Sequence, residues 1–305
     1  MSLEQLYPAI RAEIGKVIFG QAKVIDFALA ALFSSGHVLL EGPPGVAKTL
    51  LVRTIAAALS LEYRRIQMTP DLLPGDITGS AILRQGADVF EFRHGPIFAN
   101  FVLADEINRA SARTQSALLE AMQELSVTSD GVSRPLPEPF VVFATQNPIE
   151  QEGTYPLPLA PLDRFMFKVR VAYPSAEEEW HVLRDHHATG ALSDPRKMGV
   201  QLVVTPADIL EARQAIRATH VRDELVNYVQ RLLAATRQDD SLSVGASPRS
   251  GLMLLMGAKG LARFAGRDFV TPDDVKTAFL PALRHRVVLT ATSELEGTTT
   301  DEVLA

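Results

Sequence analysis

The feature that most constrains this chain is a glycine- and proline-rich loop at residues 42–49, with the sequence GPPGVAKT. It follows a short apolar run at 37–41, which predicts a strand, and it leads into an Ala- and Leu-rich run at 49–59, which predicts a helix. Strand, glycine-rich loop and helix in this order are typical of a phosphate-binding loop, because backbone N–H groups and the helix N-terminus then face the phosphates. An ordinary turn before a helix is the alternative interpretation.

In a phosphate-binding loop, Lys48 would contact the β- and γ-phosphates of a nucleotide, and the Thr49 hydroxyl would ligate Mg²⁺. The usual pattern has glycine immediately before the lysine, and here Ala47 takes that place. Alanine is acceptable there if its φ is negative, since only a methyl group is added. The residues of this segment expected to bind nucleotide are Gly42, Pro43, Pro44, Gly45, Val46, Ala47, Lys48, Thr49 and Leu50.

A second apolar run, at 101–104, ends in the acidic pair Asp105 and Glu106. Asp105 would hold the Mg²⁺ shell through water, and Glu106 would orient and polarise an attacking water molecule. A P-loop kinase needs no such water activator, so Glu106 favours hydrolysis over phosphoryl transfer to a substrate. The alternative is a strand followed by a polar loop, which the upstream phosphate-binding loop disfavours.

A third apolar run, at 140–144, leads to Asn147, which could hold the water or sense the γ-phosphate. The alternative interpretation is a capping asparagine before Pro148. Arg164 could act as a finger in a neighbouring site, and Arg249 could report the nucleotide state to a second domain. From residue type alone, a surface position is the simpler interpretation of both arginines.

Together the three runs, with helices between them, predict an α/β fold with a parallel sheet and crossover connections. Two segments interrupt this pattern as predicted hairpins, near 76–96 and near 125–139, and the second carries an Asp130-Gly131 turn. We place this first domain at residues 1–189.

Helical segments replace strands in the C-terminal part of the chain, which predicts a small all-helical domain at 190–305. Residues 185–202 are expected to form a loop, and the Thr/Glu-rich tail from Thr290 is expected to be mobile. Three sites combine an N-cap residue with a following proline, namely Thr205, Ser247 and Thr271.

Composition excludes several classes of protein. The chain has no cysteine, so disulfides, Cys–zinc sites and thiol catalysis are excluded. Its formal net charge of −6 argues against a surface that coats nucleic acid. The first residues lack a basic region followed by a long apolar one, and no apolar run could span a bilayer. We therefore expect a cytoplasmic protein.

Several blocks of the sequence resemble the MoxR-type AAA+ ATPases, and the resemblance covers most of the chain. It is densest between residues 42 and 174. The blocks are GPPGVAKTLL, RIQMTPDLLPGDITG, HGPIFANFVLADEINRA, TQSALLEAMQE, FATQNPIEQEGTYPLP and LDRF.

The resemblance implies an αβα P-loop domain carrying a helical lid, with ATP and Mg²⁺ bound between the two. It assigns Lys48, Thr49, Asp105 and Glu106 to the two nucleotide motifs. It makes Asn147 the sensor of the γ-phosphate, Arg164 the arginine finger and Arg249 the sensor in the lid. It also places Phe19 and Gly20 near the adenine, and matches the two hairpins to inserts of one AAA+ clade. Leu159 and Pro161 depart from the Glu and Gln frequent in the family.

The resemblance further implies a homo-hexameric ring that remodels or activates a protein client, among them clients with a von Willebrand factor A domain. The same clade contains helicases, so a nucleic-acid motor is an alternative, although arginines are sparse in the predicted hairpins. A scaffold that binds ATP with little turnover is a third reading, which the presence of Glu106 and Arg164 disfavours.

Overall fold

The computed structural model describes residues 2–83, 90–148, 154–189 and 194–305. Part of the first predicted hairpin, part of the FATQN block and the predicted boundary at 189–190 lie outside these ranges. The strands are β1 (His37–Glu41), β2 (Tyr63–Gln67), β3 (Gly79–Leu83), β4 (Phe90–His94), β5 (Phe101–Asp105), β6 (Ser126–Ser129), β7 (Val132–Pro135), β8 (Val141–Gln146), β9 (Phe165–Arg170), β10 (Leu242–Val244) and β11 (Val288–Leu289).

The helices lie on both sides of these strands and make up most of the C-terminal part. They are α1 (Leu3–Gly15), α2 (Ala22–Phe33), α3 (Lys48–Ala58), α4 (Pro74–Thr78), α5 (Ala112–Glu124), α6 (Leu159–Leu162), α7 (Ala176–Thr189), α8 (Pro206–Arg217), α9 (Asp223–Gln238), α10 (Pro248–Phe264), α11 (Pro272–Leu283), α12 (Ala291–Leu295) and α13 (Thr300–Leu304).

A five-stranded parallel sheet in the order β2-β5-β8-β1-β9 forms the centre of the molecule. Along β5, Phe101 and Leu103 pack into one apolar core, while Val102 and Ala104 pack into another on the opposite face. Side chains of a strand alternate between the two faces, so a strand buried on both must be apolar throughout. This explains the continuous apolar runs and confirms the predicted α/β class.

Both predicted hairpins are antiparallel pairs, β3 with β4 and β6 with β7. Asp130 and Gly131 both have positive φ, as a tight two-residue hairpin turn requires. The two hairpins meet where the Arg134 guanidinium lies 3.8 Å from the centre of the Phe92 ring.

The C-terminal part is helical, as predicted, with one addition, the short antiparallel pair β10–β11. Thr205, Ser247 and Thr271 each cap a helix whose first turn contains proline, which confirms the three predicted N-caps. The α10 and α11 helices pack on each other and on α2 and β9, which joins this part to the sheet.

Two expectations for the C-terminal half were wrong. The helix α7 continues to Thr189, so the predicted loop does not begin at residue 185. The tail after Thr290 forms α12 and α13 and is attached to the rest of the molecule. Asp301 accepts ion-pair contacts from Arg170 at 2.9 Å and from Arg284 at 3.1 Å, and Leu304 is buried. None of the helices in the described ranges has the length and apolar character needed to cross a membrane.

Candidate functional site

A cleft of about 520 Å³ opens at the carboxyl ends of the central strands. Its walls are the loop residues 44–50, the ends of β5 and β8, and the segment that joins α1 to α2. Parallel sheets bind ligands at this edge, because loops and helix N-termini converge there. Most of the residues expected to bind nucleotide line this cleft. Three of them, all in the described part of the chain, are next to lining residues in sequence but do not line it: Gly42, Pro43 and Gly20.

The first position of the loop lies so close to the backbone that follows β9 that a side chain has no room there. A Cβ on Gly42 would lie 2.2 Å from the carbonyl oxygen of Val171, at the end of β9. The Lys48 ammonium donates to the carbonyl oxygens of Gly42 at 2.6 Å and Pro43 at 2.7 Å. The ammonium group of Lys48 thus lies against the loop backbone, in the wall of the cleft.

Ala47 immediately precedes the N-terminus of α3 and has a φ of +61°. The condition on which alanine was expected to be tolerated, a negative φ, is therefore not met. A left-handed conformation costs an L-residue about 1–2 kcal/mol, which glycine would not pay. The strain lies at the point where the loop turns into the helix, in the wall of the cleft.

Thr49 and Asp105 meet on the floor of the cleft, as the motif predicts. The Thr49 hydroxyl lies 3.2 Å and 3.1 Å from the two carboxylate oxygens of Asp105. Thr145, at the end of β8, donates to Asp105 Oδ1 at 2.5 Å and accepts from the backbone N–H of Glu106 at 2.8 Å. A hydroxyl beside a carboxylate is the hard oxygen donor set that Mg²⁺ prefers, so these residues fit the implied metal.

Glu106 projects into the cleft from a backbone with φ +59°, a second left-handed residue at the site. Its carboxylate accepts from the Gln67 amide at 2.9 Å and from the Arg109 guanidinium at 3.1 Å. Backbone strain of this kind costs about 1–3 kcal/mol and persists only where the surroundings enforce it. Here Thr145 holds the N–H of Glu106, and two neighbours hold its carboxylate.

Asn147 follows β8, is buried, and lines the same cleft. Its carbonyl oxygen is 3.4 Å from the side-chain amide nitrogen of Asn108, in the turn after Glu106. The side-chain oxygen of Asn108 is buried and has no hydrogen-bond partner in the described part of the chain. The structure therefore brings Asn147 beside the acidic pair.

The apolar end of the cleft is formed by Phe19 and its neighbours Val17 and Ile18. The Phe19 ring stacks on that of His181, with 5.8 Å between the ring centres. Gly20 is left-handed at φ +67°, and a Cβ there would overlap the carboxylate of Glu178. A flat aromatic ligand group would find its stacking surface at this end.

The structure does not bring Arg164 and Arg249 to the cleft of the same chain, since neither is among the described residues that line it. Arg164 donates to the carbonyl oxygen of Ala160 at 3.2 Å, and Arg249 lies near Asp163. Arg249 is 3.6 Å from its carboxylate, and the buried Arg286 donates to the same group at 2.6 Å. Burial lowers the pKa of Arg286 below its ordinary value, and the hydrogen bond to Asp163 offsets part of that shift. Asp163 thus joins the sheet to the helical part.

Sequence reasoning assigned no role to Arg65, Gln67 or Thr145. Arg65 and Gln67 lie on β2, whose Gln67 pairs in register with Asp105 of β5. If the pairing of β2 with β5 were known from sequence, Arg65 and Gln67 would be predicted to lie at the site, because residues on the same face at the ends of adjacent strands lie close together. Thr145 carries the signal already used for Asn147, a polar residue at the end of an apolar strand.

Comparisons with known proteins agree with this geometry. The family model described as "ATPase family associated with various cellular activities (AAA)" matches residues 37–167, and that of the AAA lid domain matches 234–305. Chaperone MoxR1 of Mycobacterium tuberculosis is 46% identical over 91% of this chain and 74% of its own length. YeaC of Bacillus subtilis, which is uncharacterised, is 43% identical over 96% of this chain and 91% of its own.

A solved structure shares the architecture. The crystal structure of a Cytophaga hutchinsonii protein provisionally called an ATPase superposes with a TM-score of 0.89 at 41% identity, over 99% of this chain and 94% of that one. Protein MoxR of Paracoccus denitrificans is 32% identical over 93% of this chain and 88% of its own length. The central parallel sheet, the helical lid and these relatives together show that the chain belongs to the MoxR family of AAA+ ATPases.

Proposed function

We propose that this chain hydrolyses ATP with Mg²⁺ in the cleft at the carboxyl edge of its sheet, and does so as part of a ring. One observation supports the proposal above all. Lys48, Thr49, Asp105, Glu106 and Asn147, singled out from sequence, all line a single cleft with a stacking surface at one end. That combination provides phosphate, metal, water and base contacts in one place.

Each residue has a task that follows from its chemistry. Lys48 swings from the loop carbonyls to the β- and γ-phosphates, where it neutralises charge. Thr49 and Asp105 would hold the metal, Asp105 through water, and the metal would neutralise charge that develops on the phosphate oxygens. The loop N–H groups after Pro44 and the N-terminus of α3 hold the phosphate chain.

Glu106 accepts a hydrogen bond from the attacking water and orients it toward the γ-phosphate. In this structure Gln67 and Arg109 both donate to one oxygen of the Glu106 carboxylate, Oε2. Asn147 contacts the same water or the γ-phosphate from the adjacent strand. Both residues sit at strand ends, so their positions are set by the sheet and not by loops.

Arg164 points to assembly of several copies. It lies outside the cleft of its own chain, and its buried Nε has no hydrogen-bond partner among the described residues. A homo-hexameric ring would let Arg164 of one copy complete the site of the next, as a head-to-tail interface does. Arg249 would report the nucleotide state to the lid, on leaving Asp163.

The relatives suggest what the ring acts on. Chaperone MoxR1 is named a chaperone, and we propose a chaperone-like remodelling or activation of a protein client by this chain. We further propose that the client contains a von Willebrand factor A domain. We also propose that the protein acts in the cytoplasm. The negative net charge supports a protein client over nucleic acid.

The test is ATP hydrolysis per subunit over a wide range of protein concentration. We expect specific activity to rise with concentration, and to stay low at all concentrations in Arg164→Ala. Arg231→Ala, an exposed lid arginine, is the matched control and should follow the unmodified chain. Concentration-independent activity that Arg164→Ala does not lower would contradict trans-acting sites.

Two further arms separate the alternatives. Glu106→Gln should retain ATP binding and lose at least about a hundredfold in hydrolysis, the usual weight of a positioned general base. An unchanged rate would remove Glu106 from its role, and binding without turnover in the unmodified chain would favour a scaffold. Stimulation by single- or double-stranded DNA at low salt would favour a nucleic-acid motor.

A further inference from the structure

Arg65, on β2, makes the ion pair nearest to the proposed metal site. Its Nε and Nη2 atoms lie 3.0 Å and 2.7 Å from the same oxygen of Asp105, Oδ2. The Asp105 side chain is 7% exposed, whereas that of Arg65 is 48% exposed and lines the cleft. The guanidinium therefore approaches a buried carboxylate from the solvent side, the side from which a metal ion enters.

The carboxylate of Asp105 is already satisfied in this structure. Thr145 donates to one oxygen, Arg65 donates twice to the other, and Thr49 contacts both. A divalent cation that Asp105 would hold through water meets the positive charge of Arg65, which already binds the same carboxylate. Like charges a few ångströms apart repel, and more strongly when partly shielded from water.

We propose that Arg65 is a positioning residue that competes with the divalent metal for Asp105, so that metal binding requires the guanidinium to give up this carboxylate. The inference rests on the metal site of the proposed function and adds a residue that sets its affinity. Arg65 acts as the counter-ion of Asp105 before the metal is bound. It keeps a buried carboxylate paired, which would otherwise be costly.

The same guanidinium is also joined to Glu106. Arg65 Nη2 donates to the side-chain oxygen of Gln67, whose amide nitrogen donates to Glu106 at 2.9 Å. Arg65 and Gln67 lie two residues apart on one face of β2, so one displacement reaches both acids. Arg109 pairs directly with Glu106, at 3.1 Å, and this ion pair does not depend on Arg65. Metal binding at Asp105 is thereby linked to the hydrogen bond between Gln67 and the Glu106 carboxylate.

Binding of Mn²⁺ to the complex of the full chain with ADP, followed by electron paramagnetic resonance, tests the competition without turnover. We expect Arg65→Gln to lower the dissociation constant for Mn²⁺ by about fivefold or more, the effect of removing one unit charge a few ångströms away. Arg65→Lys keeps the charge and should stay closer to the unmodified chain than to Arg65→Gln. Arg64→Gln, an exposed neighbour that pairs with Glu62 at 2.9 Å, is the matched control and should change nothing.

Equal or weaker Mn²⁺ binding in Arg65→Gln would overturn the proposal, and so would an equal gain in Arg65→Gln and Arg65→Lys, because charge would then not be the cause. If the unmodified chain with ADP does not retain Mn²⁺ at all, the metal site of the proposed function fails and this inference fails with it. Retention by the unmodified chain without a gain in Arg65→Gln refutes the inference alone. Matching thermal transitions for Arg65→Gln and Arg64→Gln show that both are folded.

Discussion

Replacing Ala47 with glycine tests the left-handed backbone at the entrance to α3. A left-handed conformation costs alanine about 1–2 kcal/mol and costs glycine almost nothing. Glycine also gains freedom in the unfolded chain, which offsets about 0.4–1 kcal/mol of that relief. The difference leaves Ala47→Gly about 0.5–1 kcal/mol more stable than the unmodified chain.

The size of that gain can be measured by thermal unfolding of the nucleotide-free protein. Chains of 150–250 residues shift by about 2–4 °C per kcal/mol, so a chain of this length should gain about 1–3 °C. The matched control is Ala235→Gly, an exposed position inside α9 with ordinary helical neighbours. Glycine there should cost about 1 kcal/mol, since a helix interior favours alanine.

Opposite signs for the two alanine-to-glycine changes are the result that supports the backbone strain. If Ala47→Gly destabilises as much as Ala235→Gly does, residue 47 does not have a positive φ, and the reasoning about the loop is refuted. A gain in stability with unchanged nucleotide affinity would show that the strain is not needed to hold phosphate.

Three other predictions concern single side chains. Thr145→Val removes the hydroxyl that orders Asp105, and we expect at least about a tenfold loss in the ATP hydrolysis rate with nucleotide affinity retained, as measured by a fluorescent ATP analogue. Burial lowers the pKa of His37 from 6.5 to about 4. Between pH 6.5 and 4 the unfolded chain binds a proton at His37 that the folded chain does not bind. The urea concentration at the midpoint of unfolding should therefore fall as the pH drops from 6.5 to 4, and it should fall less steeply in His37→Gln. His285, whose pKa burial also lowers, should keep part of the slope. Asp301→Ala should lower the unfolding temperature while sparing ATP hydrolysis, because two arginines lose a shared carboxylate; an unchanged temperature would mean that the tail is not attached there.

The central strands could be predicted from sequence, and the edge strands could not. The strands β1, β5 and β8 are apolar on both faces because each lies between two others and beneath helices. The edge strand β2 reads Tyr-Arg-Arg-Ile-Gln, and of its side chains only that of Ile66 is buried. The other edge, β9, carries Lys168, whose partner Glu41 on β1 lies 2.7 Å away. Such pairs depend on strand order, which local patterns do not contain.

The same limit explains what was found and missed at the site. Lys48, Thr49, Asp105 and Glu106 lie directly after strands or at a helix start, so local spacing places them. Arg65 comes from an edge strand that the pattern does not reveal. The positive φ of Ala47 arises where the loop turns into α3, and residue type does not specify that turn. Residue type alone predicts a tolerant position, and the fold makes it a strained one.

The buried guanidinium of Arg286 fastens the helical part to the start of β9. Besides Asp163, it binds the carbonyl oxygens of Phe165 at 2.7 Å and Met166 at 3.1 Å, at the start of β9. These partners are main-chain atoms, so substitutions of the Phe165 and Met166 side chains leave the fastening in place. The attachment of the helical part therefore depends on the backbone of β9, which pairs with β1, the strand that leads into the loop at 42–49, and on the packing of α8 and α10 against α2.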